Sequence, residues 1–444
     1  MRTIETVIHR LGYHSSEKLF YLSKIDKCTD LSWHDRRVLK ELAPYAVYVV
    51  DGRVLTVFFD DLDSRTDVEL HGKIWNAQMP IIISDEGNYI RIYNGKSMDL
   101  GVDKKIRLRD IVTYDLSQCD EKNTFSYWNV TNSLSLDLYE KSMDKKSLNE
   151  FLIDNLRYIT KKLKNEYKIS FANKLMLRVL FIRYLIDRGV NIGYMGLNDD
   201  VKHSQEIFLN IVQNKDDFFE LIKYLKERFN GNLFEVDEQK EKSEITDEAL
   251  SVLYSFLTEE MKTGQLCLFP FYDFNIIPIE LISNIYEILL GKEKQDRDKA
   301  FYTPEYLVDY IVNRTVGRCL FNENECKVLD PSCGSGIFLV KSLQKILERN
   351  ADSNGFLQDK DRINALVKDN IYGIDYNEEA VDVTIFSIYV TLFDYQDPKS
   401  LEQFRLPLLK NENILFGDFF DEQKTRSIEK VDFKFILGNP PWEA

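Results

Sequence analysis

Lys327-Val328-Leu329-Asp330-Pro331-Ser332-Cys333-Gly334-Ser335-Gly336-Ile337-Phe338 is the stretch whose reading decides the fold. A short apolar run ends on Asp330, a loop of small residues follows from Ser332 to Gly336, and an amphipathic run begins at Ile337. That succession predicts strand, tight turn and helix. Gly334 and Gly336 permit backbone angles, and a close ligand approach, that a Cβ would block. A nucleotide-like cofactor can lie over such a turn, at the carboxyl ends of parallel strands. A glycine-rich turn by itself is a weak signal; the runs behind it strengthen it. Ile371–Asp375 and Asn413–Asp418 are apolar runs ending in an acid, and Phe433–Asn439 leads into Asn439-Pro440-Pro441-Trp442. Four strand-like runs separated by helical stretches predict a parallel α/β sheet.

Asp330 to Phe338 together with Asn439-Pro440-Pro441-Trp442 resembles the amino-methylating DNA methyltransferases that use S-adenosylmethionine. Phe301-Tyr302-Thr303-Pro304, upstream of the glycine loop, resembles the extra cofactor motif of the γ-type adenine-N6 subgroup found in restriction–modification systems. The resemblance runs over residues 285–444 and implies a Rossmann-like S-adenosylmethionine-dependent methyltransferase domain, incomplete at its C-terminus, in a type IIG-like architecture. It implies that Asp330 orients the loop and the amino-acid end of the cofactor, with Pro331, Ser332, Cys333, Gly334, Ser335 and Gly336 lining it. Phe301, Tyr302 and Thr303 would cover the methionine part, and Pro304 suits the first turn of a helix over Glu305–Val316. Asp375 would accept the ribose hydroxyls and Tyr376 would border the adenine ring. Asp418 would accept the adenine amino group with Phe419 on the ring; a core aromatic is an equal reading of Phe419. Asp330 and Asp375 taken singly also read as helix caps.

Asn439, Pro440, Pro441 and Trp442 would carry the reaction. An exocyclic amine of a nucleobase is a poor nucleophile because its lone pair is delocalised into the ring. The Asn439 side-chain oxygen and the Pro440 carbonyl can draw its hydrogens toward tetrahedral geometry, and the two prolines fix the backbone so that these oxygens converge. The target base leaves the helix stack first, and Trp442 offers it a face. No metal is required. Carbon-5 cytosine methylation would need a cysteine nucleophile, which this motif lacks.

A chain of 444 residues has room for two or three domains with their own cores. No apolar run reaches membrane-spanning length and the N-terminus lacks a signal-peptide pattern. Cys28, Cys119, Cys267, Cys319, Cys326 and Cys333 are scattered without paired ligand spacing, which suits reduced cytoplasmic thiols. A formal net charge of −15 is unlike a chain whose whole surface grips DNA.

The order of patterns predicts three segments: a small α+β domain over 1–125, a helical connector over 126–290 and the methyltransferase domain over 291–444. In the first, Ala46–Val50, Val54–Phe59, Pro80–Ser84 and Tyr89–Tyr93 read as strands, with Asp51-Gly52 and Asp85–Asn88 as turns. Its stretch from Ile74 to Gly95 is similar to the N-terminal nuclease-fold domain of type I and type IIG restriction enzymes. Such a domain pairs acids with a lysine to hold Mg²⁺. Here Val57-Phe58-Phe59-Asp60-Asp61-Leu62-Asp63 has the acids and no lysine, and Asp67, Glu69 and Lys73 do not restore the spacing, so an inactive fold is expected. In the second segment, Ser170–Arg188 is apolar nearly all round and stops at Gly189. Lys161, Lys162, Lys164, Lys168, Lys174, Arg178 and Arg183 read as a solvated basic face, and 235–247 as an exposed charged loop.

The leading reading is an adenine-N6 DNA methyltransferase of a restriction–modification or phage-defence system, acting on double-stranded DNA in the cytoplasm. The alternatives are a fused endonuclease–methyltransferase, a protein glutamine methyltransferase and a non-catalytic DNA-binding scaffold. The chain stops two residues after Trp442, so a C-terminal remainder or a second subunit is expected to complete the sheet and to carry target recognition.

Overall fold

The computed structural model describes residues 4–62, 69–101, 105–144, 148–229, 232–234, 237–258, 272–278, 303–352 and 355–440. The chain divides into two compact units, Met1–Phe151 with Phe271–Pro278, and Leu152–Pro270 with Ile279–Ala444.

The first unit holds a six-stranded sheet of β1 (Leu19–Tyr21), β2 (Ala46–Val50), β3 (Arg53–Asp60), β4 (Ile81–Asp85), β5 (Tyr89–Leu100) and β6 (Ile106–Asp115), ordered as in the chain. Every neighbouring pair is antiparallel except β3 and β4, which run parallel and flank the helix Glu69–Asn76. Asp51 and Gly52 both take positive φ, 48° and 76°, which lets the right-twisted strands β2 and β3 turn back tightly. β1 and β6 were not legible as strands. β6 carries Arg107, Arg109 and Asp110, the charges expected on an edge strand, and these mask the alternation that a buried strand would show. On one face, Ile4, Val7, Ile8 and Leu11 pack with Tyr13, Phe58, Ile81 and Ile83. Packing on this sheet continues past residue 125: Asn94 Nδ2 donates to Ser142 Oγ (2.9 Å) and Met98 N–H to Asp144 Oδ2 (3.0 Å).

The second unit contains a four-stranded parallel sheet in the order β10-β7-β8-β9, formed by β7 (Val328–Asp330), β8 (Ile371–Asp375), β9 (Ile414–Phe416) and β10 (Phe435–Ile436). The four runs expected from the sequence are these four strands. From β7 the chain steps outward through β8 to β9, then returns to the other side of β7. The order therefore reverses between β7 and β10, and a crevice at that switch point is where parallel α/β sheets take ligands.

The helix Glu378–Asp394 is buried along almost its whole circumference. One side packs on β8 and β9, the other on the helix Ala172–Asp187, which is itself buried all round, as the sequence predicts, and ends at Gly189 with φ 65°. Polar bonds lock the two layers. Tyr184 Oη donates to Val390 O (3.3 Å), and the Asn232 side-chain oxygen accepts from Tyr389 Oη, Leu409 N–H and Lys410 N–H at 3.1, 2.9 and 3.1 Å. The connector helices from Leu152 onward thus share a unit with the parallel sheet.

Three sequence readings need correction. Arg178 and Arg183 are not part of a solvated basic face. Arg178 is 1% exposed and bound to Glu241 through both terminal nitrogens (2.5 and 3.2 Å), while Arg183 Nε holds Asp187 Oδ1 at 2.7 Å. Residues 235–247 are not simply an exposed loop: Glu238–Glu244 is a helix, and it delivers the buried Glu241 to Arg178. The helix after Pro304 covers Glu305–Arg314 rather than reaching Val316, and Pro304 sits at its cap position. It stops because Thr315 turns away at φ −109°, ψ −84°, its hydroxyl bonded back to Ile311 O (2.7 Å).

Candidate functional site

Parallel strands deliver their last residues to one edge, so the acids ending β7 and β8 meet. Asp330 is 2% exposed, and its Oδ1 accepts the Ser332 N–H at 3.0 Å. Asp375 accepts the Gly334 N–H at Oδ2 (2.9 Å) and the Asn377 N–H at Oδ1 (2.8 Å). Cys333 N–H donates to Ile374 O (3.0 Å). The glycine loop is therefore suspended from β8 as well as from β7. Burial first, and then the negative charge of Asp375, push the Asp330 carboxyl up to about 7 against the opposing pull of the Ser332 N–H. The same surroundings raise the Cys333 thiol well above its usual range, which makes it inert packing.

The two loop glycines serve different needs. Gly334 takes φ 55° at the turn facing Asp375. Gly336 takes φ 83°, and a Cβ there would come within 3.0 Å of Thr384, whose hydroxyl donates to Gly334 O (2.9 Å). Gly336 is thus demanded by the helix beneath the loop, and Thr384, invisible to motif reading, is the residue that fixes the loop from below. Pro331, Ser332 and Gly334 are the half-buried part of the loop, whereas Cys333, Ser335 and Gly336 face inward.

These residues fit a cofactor with an amino-acid end and a ribose. Ser332 Oγ is buried and has no hydrogen-bond partner among the described residues, which is costly unless a ligand group completes it. Asp375 accepts backbone N–H bonds at both oxygens, an acceptor at the strand end of the kind that meets ribose hydroxyls in dinucleotide folds. The Tyr376 ring is 53% exposed beside it. At the end of β9, Asp418 is exposed, and its Oδ1 accepts the Phe420 N–H (3.0 Å). Phe419 is partly buried against Leu329, Ile374, Leu415 and Ile428, which accounts for it as core packing. The exposed ring is that of Phe420, 87% exposed and edge-on to Phe419.

Strand β10 brings the second half of the site. Phe435 pairs with Val328 and Ile436 with Leu329, and Leu437 N–H donates to Leu329 O (2.9 Å). That register carries Gly438 alongside Asp330 and sets Asn439, half-buried, and Pro440, exposed, at the same edge as the glycine loop. Thr303 is 8% exposed, just ahead of the helix Glu305–Arg314, which Lys341 ties to the helix leaving the glycine loop through Glu305 (3.0 Å) and Asp309 (3.1 Å). Phe301, Tyr302, Pro441 and Trp442 lie outside the described residues. The site therefore unites Asp330, the loop 332–336, Asp375 and the Gly438–Pro440 segment.

In the first unit, Asp60 and Asp61 end β3 in exposed positions, and Lys73 pairs with Glu41 at 2.9 Å. Asp63 and Asp67 lie outside the described residues. Among the described residues no cluster of His, Cys, Asp and Glu has the makings of a metal site, and no helix is long and apolar enough to cross a membrane.

A parallel sheet with its switch point at β7 and β10, a glycine turn between two strand-end acids and an Asn-Pro segment on the neighbouring strand make up a Rossmann-like site. Residues 278–444 match the N-6 DNA Methylase family. The chain is 26% identical over 293 residues to the type II restriction enzyme and methyltransferase RM.Eco57I of Escherichia coli, covering 54% of this chain and 28% of that protein. It is 25% identical over 328 residues to the type I restriction enzyme MjaVII methylase subunit of Methanocaldococcus jannaschii, covering 67% of this chain and 48% of that one. It thus spans between about a quarter and a half of the length of these curated relatives. Among solved structures, the type IIL restriction-modification enzyme MmeI in complex with DNA aligns with a TM-score of 0.45 at 16% identity, over 65% of this chain and 43% of that one.

Proposed function

We propose that this chain transfers a methyl group from S-adenosylmethionine to N6 of an adenine flipped out of duplex DNA, within a restriction–modification system serving phage defence. The observation that carries the reading is the adjacency of the glycine loop and Asn439, imposed by the parallel pairing of β10 with β7 in the region that matches the N-6 DNA Methylase family. The cofactor supplies an electrophilic methyl group on a sulfonium. Asp375 holds the ribose hydroxyls; the Ser332 hydroxyl and the Asp330 end of the loop meet the amino-acid end. Asp418 and Tyr376 border the adenine ring of the cofactor, Phe419 packs behind it, and Phe301, Tyr302 and Thr303 close over the methionine part. Asn439 Oδ1 and the Pro440 carbonyl accept the two amino hydrogens of the target adenine. This localises the nitrogen lone pair and aims it at the methyl group, while Pro441 holds the backbone and Trp442 stacks on the base.

In the same reading residues 1–125 are a nuclease-like domain without cleavage activity, 126–290 a helical connector and 291–444 the transferase. Double-stranded DNA is the partner, and target recognition resides in a C-terminal segment or a second subunit. The test is transfer of radiolabelled methyl from S-adenosylmethionine by the intact enzyme to duplex DNA or to protein acceptors. Label on adenine N6 is expected, and Asn439→Ala should reduce the rate by about 100- to 1000-fold while cofactor affinity holds, since the interaction belongs to the transition state. Label on glutamine side chains, or an Asn439→Ala variant of normal turnover, would overturn the reading.

A further inference from the structure

We propose that Asp330 is a positioning residue for the Asn439-Pro440 segment, with Gly438 as the contact through which the cofactor turn and the base-holding segment set each other's place. The inference rests on the functional reading above and adds to it a mechanical link between the two halves of the site.

The pairing of β10 with β7 ends with the bond from Leu437 N–H to Leu329 O at 2.9 Å. Beyond it the chain leaving β7 enters Pro331, which has no N–H to continue a ladder. What lies against Gly438 instead is the Asp330 carboxylate. A Cβ on Gly438 would stand 2.5 Å from Asp330 Oδ1, 3.2 Å from its Cγ and 3.4 Å from Pro331 Cδ. The φ of Gly438 is not in the left-handed range, unlike those of Gly334 and Gly336. The position therefore needs the absence of a side chain, not the backbone freedom of glycine.

The carboxylate has little room to step aside. Asp330 is 2% exposed, and the same Oδ1 that crowds position 438 accepts the Ser332 N–H at 3.0 Å. One oxygen atom thus touches both segments: it fixes the first turn of the cofactor loop and abuts the residue before Asn439. Side chains that move Asp330 should move Asn439, and groups inserted at 438 should disturb the loop that begins at Ser332.

Gly438→Ala, Asp330→Ala and the double variant test this through two independent readouts. Calorimetry of the 444-residue chain with S-adenosylmethionine should give Gly438→Ala an affinity lower by about tenfold or more, a coupling typical of contacting residues. Thermal unfolding should show that Gly438→Ala lowers the melting temperature in the Asp330 background and much less in the Asp330→Ala background, where the crowding oxygen is gone. Should Gly438→Ala fail to fold while the double variant folds, the link is supported; failure of both alike overturns it. Unchanged cofactor affinity, or an equal loss of melting temperature in both backgrounds, also overturns it. A wild-type chain that binds no S-adenosylmethionine refutes the functional reading instead, and the unfolding comparison still decides the link.

Discussion

Both sheets end neighbouring parallel strands on carboxylates, yet in only one of them are the two acids seen to share a glycine loop. In the six-stranded sheet, Asp60 and Asp85 stand opposite each other at the ends of β3 and β4. Asp85 turns its Oδ1 to the Gly87 N–H in its own hairpin (2.9 Å), and β4 is followed directly by an antiparallel return. In the four-stranded sheet, Asp330 and Asp375 share one glycine loop between them, and a strand from far along the chain adds Gly438 and Asn439 at the same edge. Strand-end acids and a helix-bearing crossover between them are common to both sheets; what sets the second apart is a glycine loop bonded to both acids, the topological switch and a further parallel strand at the same edge.

The largest effect expected from this contrast concerns support. The parallel sheet leans on a buried helical layer formed by Ala172–Asp187 and Glu378–Asp394. Glu241→Ala removes the carboxylate held by both terminal nitrogens of the buried Arg178 and should destabilise the second unit by about 3–5 kcal/mol, read in denaturant unfolding. Pairing it with Arg178→Met should recover much of that loss. A loss confined to below 1 kcal/mol in the single variant would show the connector helices to be dispensable to the sheet.

Next comes the ligand. Asp375→Ala removes the carboxylate that anchors Gly334 and would hold the ribose, and S-adenosylmethionine affinity should fall by roughly 10- to 100-fold, the range for hydrogen bonds to a charged group. Affinity indistinguishable from wild type would remove Asp375 from the site and leave the two sheets alike in chemistry.

A smaller effect separates the acids by pH. Asp330 holds its proton up to about 7, against an ordinary value of 3.8. The folded state then binds more protons than the unfolded state between these values, so this group costs stability as pH rises from about 4 to about 7. The Asp330→Asn variant, neutral throughout, should gain on the wild type across that window, at a slope of up to about 1.4 kcal/mol per pH unit. Parallel stability curves for the two proteins would mean that Asp330 titrates as an exposed acid does.

The smallest effect is expected in the six-stranded sheet. With no lysine in the run Val57–Asp63 and Lys73 paired with Glu41, Mg²⁺ or Mn²⁺ should leave plasmid DNA intact, and Asp60→Ala, Asp61→Ala should change neither that nor methyl transfer. Metal-dependent linearisation abolished by the double variant would turn the contrast between the sheets into a division of labour.

The four strands at 328–330, 371–375, 414–416 and 435–436 and the all-round burial of Ala172–Asp187 were legible in the sequence, as were the acids at the ends of β7 and β8. Each is declared by its immediate neighbours in the chain: an apolar run, a glycine turn, a period of two or of 3.6. The misread segments were those whose meaning comes from a distant partner. Arg178 looks solvated until Glu241 is brought to it, and the polar helix Glu238–Glu244 has no apolar stripe to announce that one of its acids is buried. β6 hides because an edge strand carries charge.

By itself, then, the sequence determined the parallel α/β class, the order of the motifs and which residue types stand at the strand ends, because these depend on short-range pattern and on backbone preferences of glycine and proline. The tertiary structure alone decided that Gly336 answers to Thr384, that Phe420 rather than Phe419 is the exposed ring, and that Gly438 lies against the Asp330 carboxylate. Those contacts follow from strand order and register, which are set by burying the faces of the whole sheet at once and leave no mark on any single stretch of chain.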